Sequence, residues 1–470
     1  MNFDKLTFDY FSILNNSGMK YRILTIFIIV VGSVHGQKVS IVNKLKAKQF
    51  IQKGNQEFYN GLTMSGFMSY KQAIMADPTN SNAFQSLANV QLELRKYYGA
   101  KESAMKAYEL AKKKNNPDLN YIKAQAHHRL GEIKEALEHY KVAMKEFPKA
   151  VSKDYSIQIK ISQCEYALSE KLTSDSNIRK PLAEELSSKN DEYAPILCLN
   201  GQQLFFTARR PDTKGNNSNP DDEQFFEDIY HAIWNEETQK YEMQDDTKKI
   251  NTEGFDALSY ASENGRLIYG TVNTAASKES TAASSDIAKY SSNIPLKLSK
   301  PKVIDNKEIN TGYYEGCPTF TDTLYNSSKK PYQTMVFVSD RQGEKKMTDL
   351  YQIDYVKRVW QEVTSLPDYI NTTSRETTPF LSPDGNYLFF SSDGLPGFGG
   401  YDIYYSKKEN GVWGIPKNLG PKFNTVNDDT HFQFYSWGVA VAASIAEVDG
   451  EYNYQMFQFD LTELDLPFMK

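Results

Sequence analysis

Two patterns of hydrophobic and polar positions divide the chain. Between residues 40 and 170, apolar side chains recur every three or four positions among Ala, Lys and Glu, which predicts amphipathic helices. Between residues 190 and 470, short runs rich in Tyr, Phe, Thr and Ser alternate with Gly and Asp, which predicts β-strands joined by tight turns. The pattern changes near residues 171–190, so we expect a domain boundary there.

The helical part contains an internal repeat. Its first copy contains Gly54, Gly66, Tyr70, Ala73 and Pro78. The last four of these positions recur in the third copy as Ala136, Tyr140, Ala143 and Pro148. The copy between them is assigned Ala104, Tyr108, Ala111 and Pro117. Small residues allow close helix packing, the aromatic residue fills the space to the next pair, and Pro ends a helix. This spacing resembles the tetratricopeptide (TPR) family, with three helix pairs and a closing helix at 156–172. The resemblance implies a concave groove that binds peptides or proteins; a generic helical bundle is the alternative.

A longer unit recurs five times in the second part. Its fullest copy runs from Glu376 to Tyr405 and contains a Pro-Asp-Gly turn, a Gly-rich loop and an Asp-Ile-Tyr strand. Four short strands per unit, repeated radially, predict a β-propeller. The units resemble the TolB-type, WD-repeat-like propeller. We predict five blades, or six if the long first unit hides an insertion at 211–227, and we expect the segment 182–190 to donate an outer strand that closes the ring.

The N-terminal segment has the layout of a secretory signal peptide. Basic residues follow Met19, an apolar run extends from Ile23 to Val31, and a cleavage motif ends at Gly36. We expect translation to start at Met19, with an uncleaved anchor helix as the alternative. No Cys follows the run, so no lipoprotein anchor is expected at this site. The predicted α+β organisation is a signal peptide at 1–36, an all-α TPR solenoid at 37–172, a linker and closing strand at 173–190, and an all-β propeller at 191–470.

Composition and charge narrow the possible functions. The formal net charge is -5, which argues against a nucleic-acid-binding protein because that class needs basic patches. A single long apolar run excludes a polytopic membrane protein. The three cysteines, Cys164, Cys198 and Cys317, have no zinc-ligand spacing and are expected to be small buried side chains.

The sequence lacks the motifs of the common enzyme classes. It has no Gly-x-Ser-x-Gly elbow, no P-loop and no dinucleotide fingerprint, so we predict no enzyme activity and no cofactor. The helical histidines, His127, His128 and His139, are expected on a solvated face. The acidic pairs of the propeller lack EF-hand spacing, so solvated loops are favoured over calcium ligands, and we predict no metal site.

Candidate functional residues follow the second strand of the predicted blades. These residues differ between copies and are expected to meet at one rim, where they form the predicted binding set: Arg209, Arg210, Asp340, Arg341 and Asp393. A second set occupies a repeated position or a loop and is predicted to be structural: Asp228, Asp286, Asp349, Asp402, Gly399 and Gly400.

The combination of a signal peptide, a TPR array and a propeller with units such as Thr378–Gly385 and Gly399–Ile403 resembles the PorE-type proteins of Bacteroidota, which are linked to type IX secretion and gliding. The chain stops at Lys470 after the last unit, without the OmpA-type domain that those proteins commonly carry. The resemblance implies a periplasmic adaptor associated with the outer membrane, with a PorP/SprF-type barrel or another secretion or adhesin component as its partner. The alternatives are a glycan- or peptide-recognition module of a nutrient-uptake complex and, third, a hydrolase with a site in the propeller funnel.

Overall fold

The computed structural model describes residues 39–112, 116–170, 178–214, 218–219, 223–273, 285–292, 294–325, 329–341, 347–462 and 464–468. The predicted signal peptide, residues 1–36, lies outside them. From Ile41 onward the described chain forms one compact unit. It begins with eight helices: α1 (Ile41–Tyr59), α2 (Thr63–Ala76), α3 (Ser81–Glu93), α4 (Tyr97–Leu110), α5 (Pro117–Arg129), α6 (Ile133–Glu146), α7 (Lys149–Asp154) and α8 (Ile157–Ser169).

The first six helices form three TPR-like pairs, α1 with α2, α3 with α4 and α5 with α6. Two residues after the first helix of each pair, the backbone enters the left-handed region, at Gly61, Arg95 and Gly131, with φ of 85°, 54° and 76°. The second helices each contain 14 residues. The predicted fold class is confirmed for this part.

The middle repeat differs from the sequence alignment by one helical turn. The eighth residue of the second helix is Tyr70 in α2, Ala104 in α4 and Tyr140 in α6. The sequence alignment placed Tyr108 at this aromatic position, four residues late. Four residues are close to one turn of 3.6, so both registers present similar residues to the same face of the helix.

The second part is a five-bladed β-propeller, which confirms the predicted blade count. Its strands are β1 (Lys180–Pro181), β2 (Glu192–Cys198), β3 (Gln203–Ala208), β4 (Asp228–Asn235), β5 (Lys240–Gln244), β6 (Phe255–Ala261), β7 (Ile268–Asn273), β8 (Asp286–Ser291), β9 (Leu298–Val303), β10 (Glu315–Phe320), β11 (Leu324–Tyr325), β12 (Pro331–Ser339), β13 (Asp349–Val356), β14 (Val359–Trp360), β15 (Thr364–Ser365), β16 (Glu376–Leu381), β17 (Tyr387–Ser392), β18 (Asp402–Glu409), β19 (Val412–Trp413), β20 (Lys417–Asn418), β21 (Asp429–Tyr435), β22 (Val439–Val448) and β23 (Glu451–Asp460). Blades 1 to 4 start at β2, β6, β10 and β16, and blade 5 contains β21, β22, β23 and β1.

A strand from before the first blade closes the ring. Lys180 and Pro181 pair with Gln458 and Phe457 of β23, and the Leu182 amide donates to the Met456 carbonyl at 2.9 Å. The closing strand therefore lies just before the segment expected from the sequence, within which 184–186 form a 3-10 helix. Closing the ring with a distant segment holds the first and last blades together and leaves no open sheet between them.

Each blade begins with the same hydrogen-bonded turn. The first or second residue of the inner strand is a buried acid, and the backbone amide and hydroxyl of the residue four positions earlier both donate to its carboxylate. The five pairs are Ser188 with Glu192, Thr252 with Asp256, Thr311 with Glu315, Thr372 with Glu376, and Thr425 with Asp429. The acids are at most 1% exposed.

In four of these turns an Asn precedes the Thr and fixes the third strand. Its side chain accepts from the amide and donates to the carbonyl of one strand residue, as Asn424 does with Ile403 at 2.8 and 3.0 Å. The other three pairs are Asn251 with Ile229, Asn310 with Ile287, and Asn371 with Leu350. The turn thus joins the inner strand of one blade to the third strand of the preceding blade.

Candidate functional site

The TPR-like part rests on the propeller face where the inner strands begin. Each helix pair contributes a polar contact at the turn between its two helices. In the first pair, the carboxylate of Glu223 accepts from the Met64 and Ser65 amides at the start of α2, at 2.6 and 3.1 Å. Glu223 belongs to the long β3–β4 connection, the region considered for a sixth blade. This connection therefore reaches the solenoid and does not form a blade.

The second and third pairs dock through two arginines. Arg95 Nη1 lies 2.6 Å from Asp191 Oδ1, and Arg129 Nη1 lies 2.9 Å from Asp428 Oδ1. The two aspartates are equivalent, since each directly precedes the buried acid of its blade. Burial alone would raise the pKa of Asp428, but Arg129, Arg95 and the Tyr401 amide together outweigh this effect and hold the pKa below its ordinary value.

His128 is buried at the same interface, which corrects the predicted solvated face for this residue. Burial lowers its pKa to about 3, so the ring is neutral at physiological pH. Nε2 lies 2.7 Å from the Phe398 carbonyl, which only accepts, so Nε2 carries the hydrogen. Nδ1 then accepts from the Cys164 thiol at 3.9 Å, whose pKa burial raises to about 12.

Gly399 and Gly400, predicted to be structural, allow this close approach. A Cβ on Gly399 would lie 2.6 Å from His128 Nε2, and a Cβ on Gly400 would lie 2.4 Å from Arg129 Nη1. Both glycines have positive φ, 143° and 66°. The absence of side chains in the Gly-rich loop therefore lets α5 of the solenoid pack closely against this blade.

A cavity of about 630 Å³ lies between the solenoid and the propeller mouth. Its helical wall includes Tyr121, Gln125 and Lys160, and its propeller wall includes Arg375 and Tyr401. Arg375 is paired with Asp393, Nη2 to Oδ2 2.7 Å. Because residues from both modules form the wall, this cavity is the strongest candidate for a site that needs both.

The cavity continues into a groove along the first helices of the pairs. A second hollow of about 440 Å³ shares Tyr121 and Tyr155 with the cavity and is lined otherwise by residues of α1, α2, α3 and α5. Three amide side chains, Asn55, Asn89 and Gln125, face this continuous groove. Each lies six residues before the left-handed turn residue of its pair, so the amides occupy equivalent positions.

The propeller channel is the third hollow, of about 490 Å³. Tyrosines from several blades line it, namely Tyr193, Tyr314, Tyr401 and Tyr454. The ring of His431 lies 5.4 Å from that of Tyr193, and burial lowers the pKa of His431 to about 3. Tyr401 lines both the channel and the interdomain cavity, so the two hollows adjoin.

Two of the predicted rim residues bind the buried acids of their own blades. Arg210 donates to Glu192 at 3.1 Å, and Arg341 donates to Glu315 at 3.2 Å. Each guanidinium also lies over two aromatic rings of its blade, at 4.9 to 5.3 Å. Both arginines are thus occupied by internal contacts.

The other three rim residues lie on the same propeller face. Asp340 accepts from the Tyr314 amide at 2.8 Å, and Asp393 accepts from the Arg375 amide at 2.9 Å. Arg209 donates to the Phe225 carbonyl at 2.8 Å and lines the channel. Of the five residues, Asp393 and Arg209 border hollows; a binding role for the set stays a prediction.

The repeated aspartates begin the third strand of blades 1 to 4. Asp402 Oδ2 accepts from the Phe398 and Gly399 amides, and Asp228 accepts from the Lys214 amide at 2.7 Å. Burial raises the pKa of both, to about 6 for Asp228. The pKa of Asp286 and Asp349 is also raised by burial.

Apart from Gly399 and Gly400, the residues that form the interface were missed at the sequence level, as were the hydrogen bonds of the blade turns. A visible pattern marks the turns, because Asn-Thr followed four residues later by an acid occurs at Asn251, Asn310, Asn371 and Asn424. No repeat marks Arg95, His128 or Glu223, since each acts once. Among the described residues, no cluster of three metal-ligating side chains occurs, and no described helix is long and apolar enough to span a membrane.

Comparisons with known proteins match the helical architecture at low identity. The Arabidopsis OM64 TPR domain is 20% identical, with 26% of this chain and 96% of that chain covered and a TM-score of 0.24. The first TPR of Spaghetti (RPAP3) bound to an HSP90 peptide is 21% identical, with 27% of this chain and 95% of that chain covered and a TM-score of 0.25. The Yersinia enterocolitica type III secretion chaperone SycD in complex with a YopD peptide is 15% identical, with 27% of this chain and 97% of that chain covered and a TM-score of 0.25. No protein-family model and no curated protein matches the chain. The fold is a TPR-like solenoid docked on a five-bladed propeller.

Proposed function

We propose that the protein is a non-enzymatic scaffold whose TPR groove binds an extended segment of a partner protein. The equivalent amides Asn55, Asn89 and Gln125 carry this proposal. An amide side chain both donates and accepts, as does the backbone of an extended peptide. Among the described residues, the side-chain amides of Asn89 and Gln125 make no hydrogen bond, whereas the Asn55 side chain accepts from the Tyr70 hydroxyl at 2.9 Å. A ladder with one amide per repeat suits a ligand that runs along the groove.

The partner and the location belong to the same proposal. The sequence layout of a signal peptide and the resemblance to PorE-type proteins support a periplasmic adaptor on an outer-membrane complex. A PorP/SprF-type barrel, or another component of type IX secretion, gliding or adhesin display, is the proposed partner. The neutral-to-acidic charge and the interaction architecture agree with this role.

The test is photocrosslinking in native outer membranes. A photoreactive residue is placed at Ser86 in the groove and, as a matched control, at Lys106 on the outer face of α4, and crosslinked proteins are identified by mass spectrometry. A barrel or secretion component captured from position 86 and absent from position 106 supports the proposal. Equal capture from both positions, or a monomer that captures nothing, overturns it.

A second function is favoured by the tyrosine-lined channel. Aromatic rings stack on sugar rings, and the channel exposes several of them next to polar groups. In that case the protein would be a glycan-recognition module of a nutrient-uptake complex. Calorimetry with soluble glycans tests this function: binding that Tyr314→Ala removes and that Asn89→Ala leaves unchanged favours the channel over the groove.

A further inference from the structure

Three charged side chains that line the interdomain cavity, Glu93, Asp154 and Lys160, have no oppositely charged group within 4 Å among the described residues, and burial shifts the pKa of two of them, Glu93 and Lys160. Three arginines face this cavity, and each has its own carboxylate within 2.9 Å: Arg95 with Asp191, Arg129 with Asp428, and Arg375 with Asp393. Lys160 on α8 has only the Gln163 amide oxygen, at 3.2 Å. Within the described part of the chain, no carboxylate lies within 4 Å of Lys160 and no cation within 4 Å of Glu93 at the end of α3.

Lys160 is half-buried, Glu93 is more exposed at the cavity wall, and burial disfavours the charged form of each. Burial lowers the pKa of Lys160 and raises the pKa of Glu93. Arg129 and Arg375 act on both groups, and the two groups belong to different helices, Glu93 to the end of α3 and Lys160 to α8. An ion that is already partly desolvated by its protein loses little more on meeting a ligand charge, so pairing there is favoured.

We propose that the cavity selects partner segments by one acidic and one basic side chain, with the acid at Lys160 and the base at Glu93. This inference rests on the proposed function, since it specifies the ligand of the same groove. A volume of 630 Å³ corresponds to a sphere roughly 11 Å across, which an extended chain crosses in about three residues. A segment that lies within the cavity therefore carries its two charges at most two or three positions apart. The direction in which the segment runs along the groove determines whether its acidic or its basic residue comes first in the sequence.

The full chain is tested with fluorescein-labelled Gly/Ser peptides that carry Asp and Lys, separated by one or two residues, in either order. Peptides with one charge or none are the controls, and binding is followed by fluorescence anisotropy at low salt. One order of the two charges binds about tenfold more tightly than the neutral peptide. Lys160→Gln and Glu93→Gln each remove most of this gain, while Lys153→Gln, an exposed lysine on α7, leaves it unchanged.

A charge exchange gives the sharpest result. The double variant Glu93→Lys with Lys160→Glu reverses the preferred order of Asp and Lys in the peptide, which altered folding alone does not do. Equal affinity for neutral and charged peptides, lost in Asn89→Ala, overturns this inference and leaves the groove proposal standing. Failure of every peptide to bind overturns both.

Discussion

The left-handed turn residue of the second TPR pair offers a direct test of the interface. The first and third pairs have Gly61 and Gly131 at this position, but the second has Arg95 with φ of 54°. A residue with a Cβ in this region costs about 1 kcal/mol or more relative to Gly. We therefore expect the contacts of the Arg95 side chain with the propeller to stabilise the protein by more than this backbone cost.

The structure gives the size of the effect. Arg95→Ala removes the 2.6 Å ion pair to the Asp191 carboxylate, which is 5% exposed; within the described part of the chain, that carboxylate then keeps the Tyr454 amide, at 2.8 Å, as its one donor. It also removes the stacking of the guanidinium on the Tyr454 ring at 4.9 Å. Loss of a charged hydrogen bond costs about 1.5–3 kcal/mol and loss of the ring contact about 0.5–1 kcal/mol. Arg95→Ala should cost about 2–4 kcal/mol, and Arg95→Gly about 1 kcal/mol less because it relieves the backbone.

The chain provides separate optical probes for its two parts. All four tryptophans lie in the propeller: Trp234, Trp360, Trp413 and Trp437. In urea unfolding, tryptophan fluorescence reports the propeller, and circular dichroism at the helical minimum reports mainly the solenoid. The two transitions should coincide in the parent protein and separate in Arg95→Ala, with the helices unfolding at lower urea.

A double-mutant cycle with Asp191→Asn is the control for this experiment. Because the two side chains act on each other, the double variant should be less destabilised than the sum of the single variants, by about 1 kcal/mol or more. The reasoning is refuted if Arg95→Gly is as stable as the parent protein and its two transitions coincide. That result would mean that the turn prefers Gly and that the ion pair contributes nothing.

Three further substitutions test the interface glycine and the blade turns. Gly400→Ala should lower the free energy of unfolding by about 2 kcal/mol more than Gly411→Ala does. Both glycines have positive φ, but only a Cβ at Gly400 would meet other atoms within 4 Å. Equal losses for the two variants in urea titration would show that the close approach at Gly400 does not affect stability. Burial raises the pKa of Glu376 from 4.5 to about 7, so the folded protein binds this proton more tightly than the unfolded chain does. Its stabilising contribution is therefore lost as pH rises from about 5 to about 8, by at most about 3 kcal/mol, and Glu376→Gln should remove that part of the pH dependence; an unchanged pH profile would contradict it. Thr372→Val should lower the free energy of unfolding by about 1–2 kcal/mol, because it removes the hydroxyl that donates to Glu376 at 2.8 Å. The matched control Thr373→Val changes an exposed residue and should be nearly neutral. Similar melting temperatures for the two variants would rule out the role of the hydroxyl.

The repeating features were predictable from the sequence because every repeat shows the same spacing of hydrophobic, small and turn residues. Helical periodicity and small–aromatic spacing predicted the solenoid, and the strand–turn pattern predicted five blades. The slip at Tyr108 shows the limit, since periodicity specifies a helical face but not which turn of the helix carries it. The ring closure was expected slightly late, at 182–190, because two paired residues, Lys180 and Pro181, are too short a strand to produce a pattern.

The interface could not be predicted in this way because single residues build it. His128 occurs in a helix among other polar residues, and only the approach of the Phe398 carbonyl shows that it is buried. Glu223 reaches α2 from a long connection whose sequence resembles a solvated loop. Such contacts depend on how two folded modules meet, which is information that neither repeat contains.

The docked arrangement matters for binding because it fixes two surfaces relative to each other before a ligand arrives. The groove is formed by helices alone near Asn55 and Asn89, and it meets the propeller wall near Gln125 and Lys160. In a flexible tandem, a segment that spans both regions would have to order the two modules as it binds, and that ordering lowers affinity. Here the contacts at Arg95 and Arg129 hold the modules together in advance. On the proposed function, weakening these contacts therefore reduces binding of segments that reach the cavity and spares shorter segments confined to the helical groove.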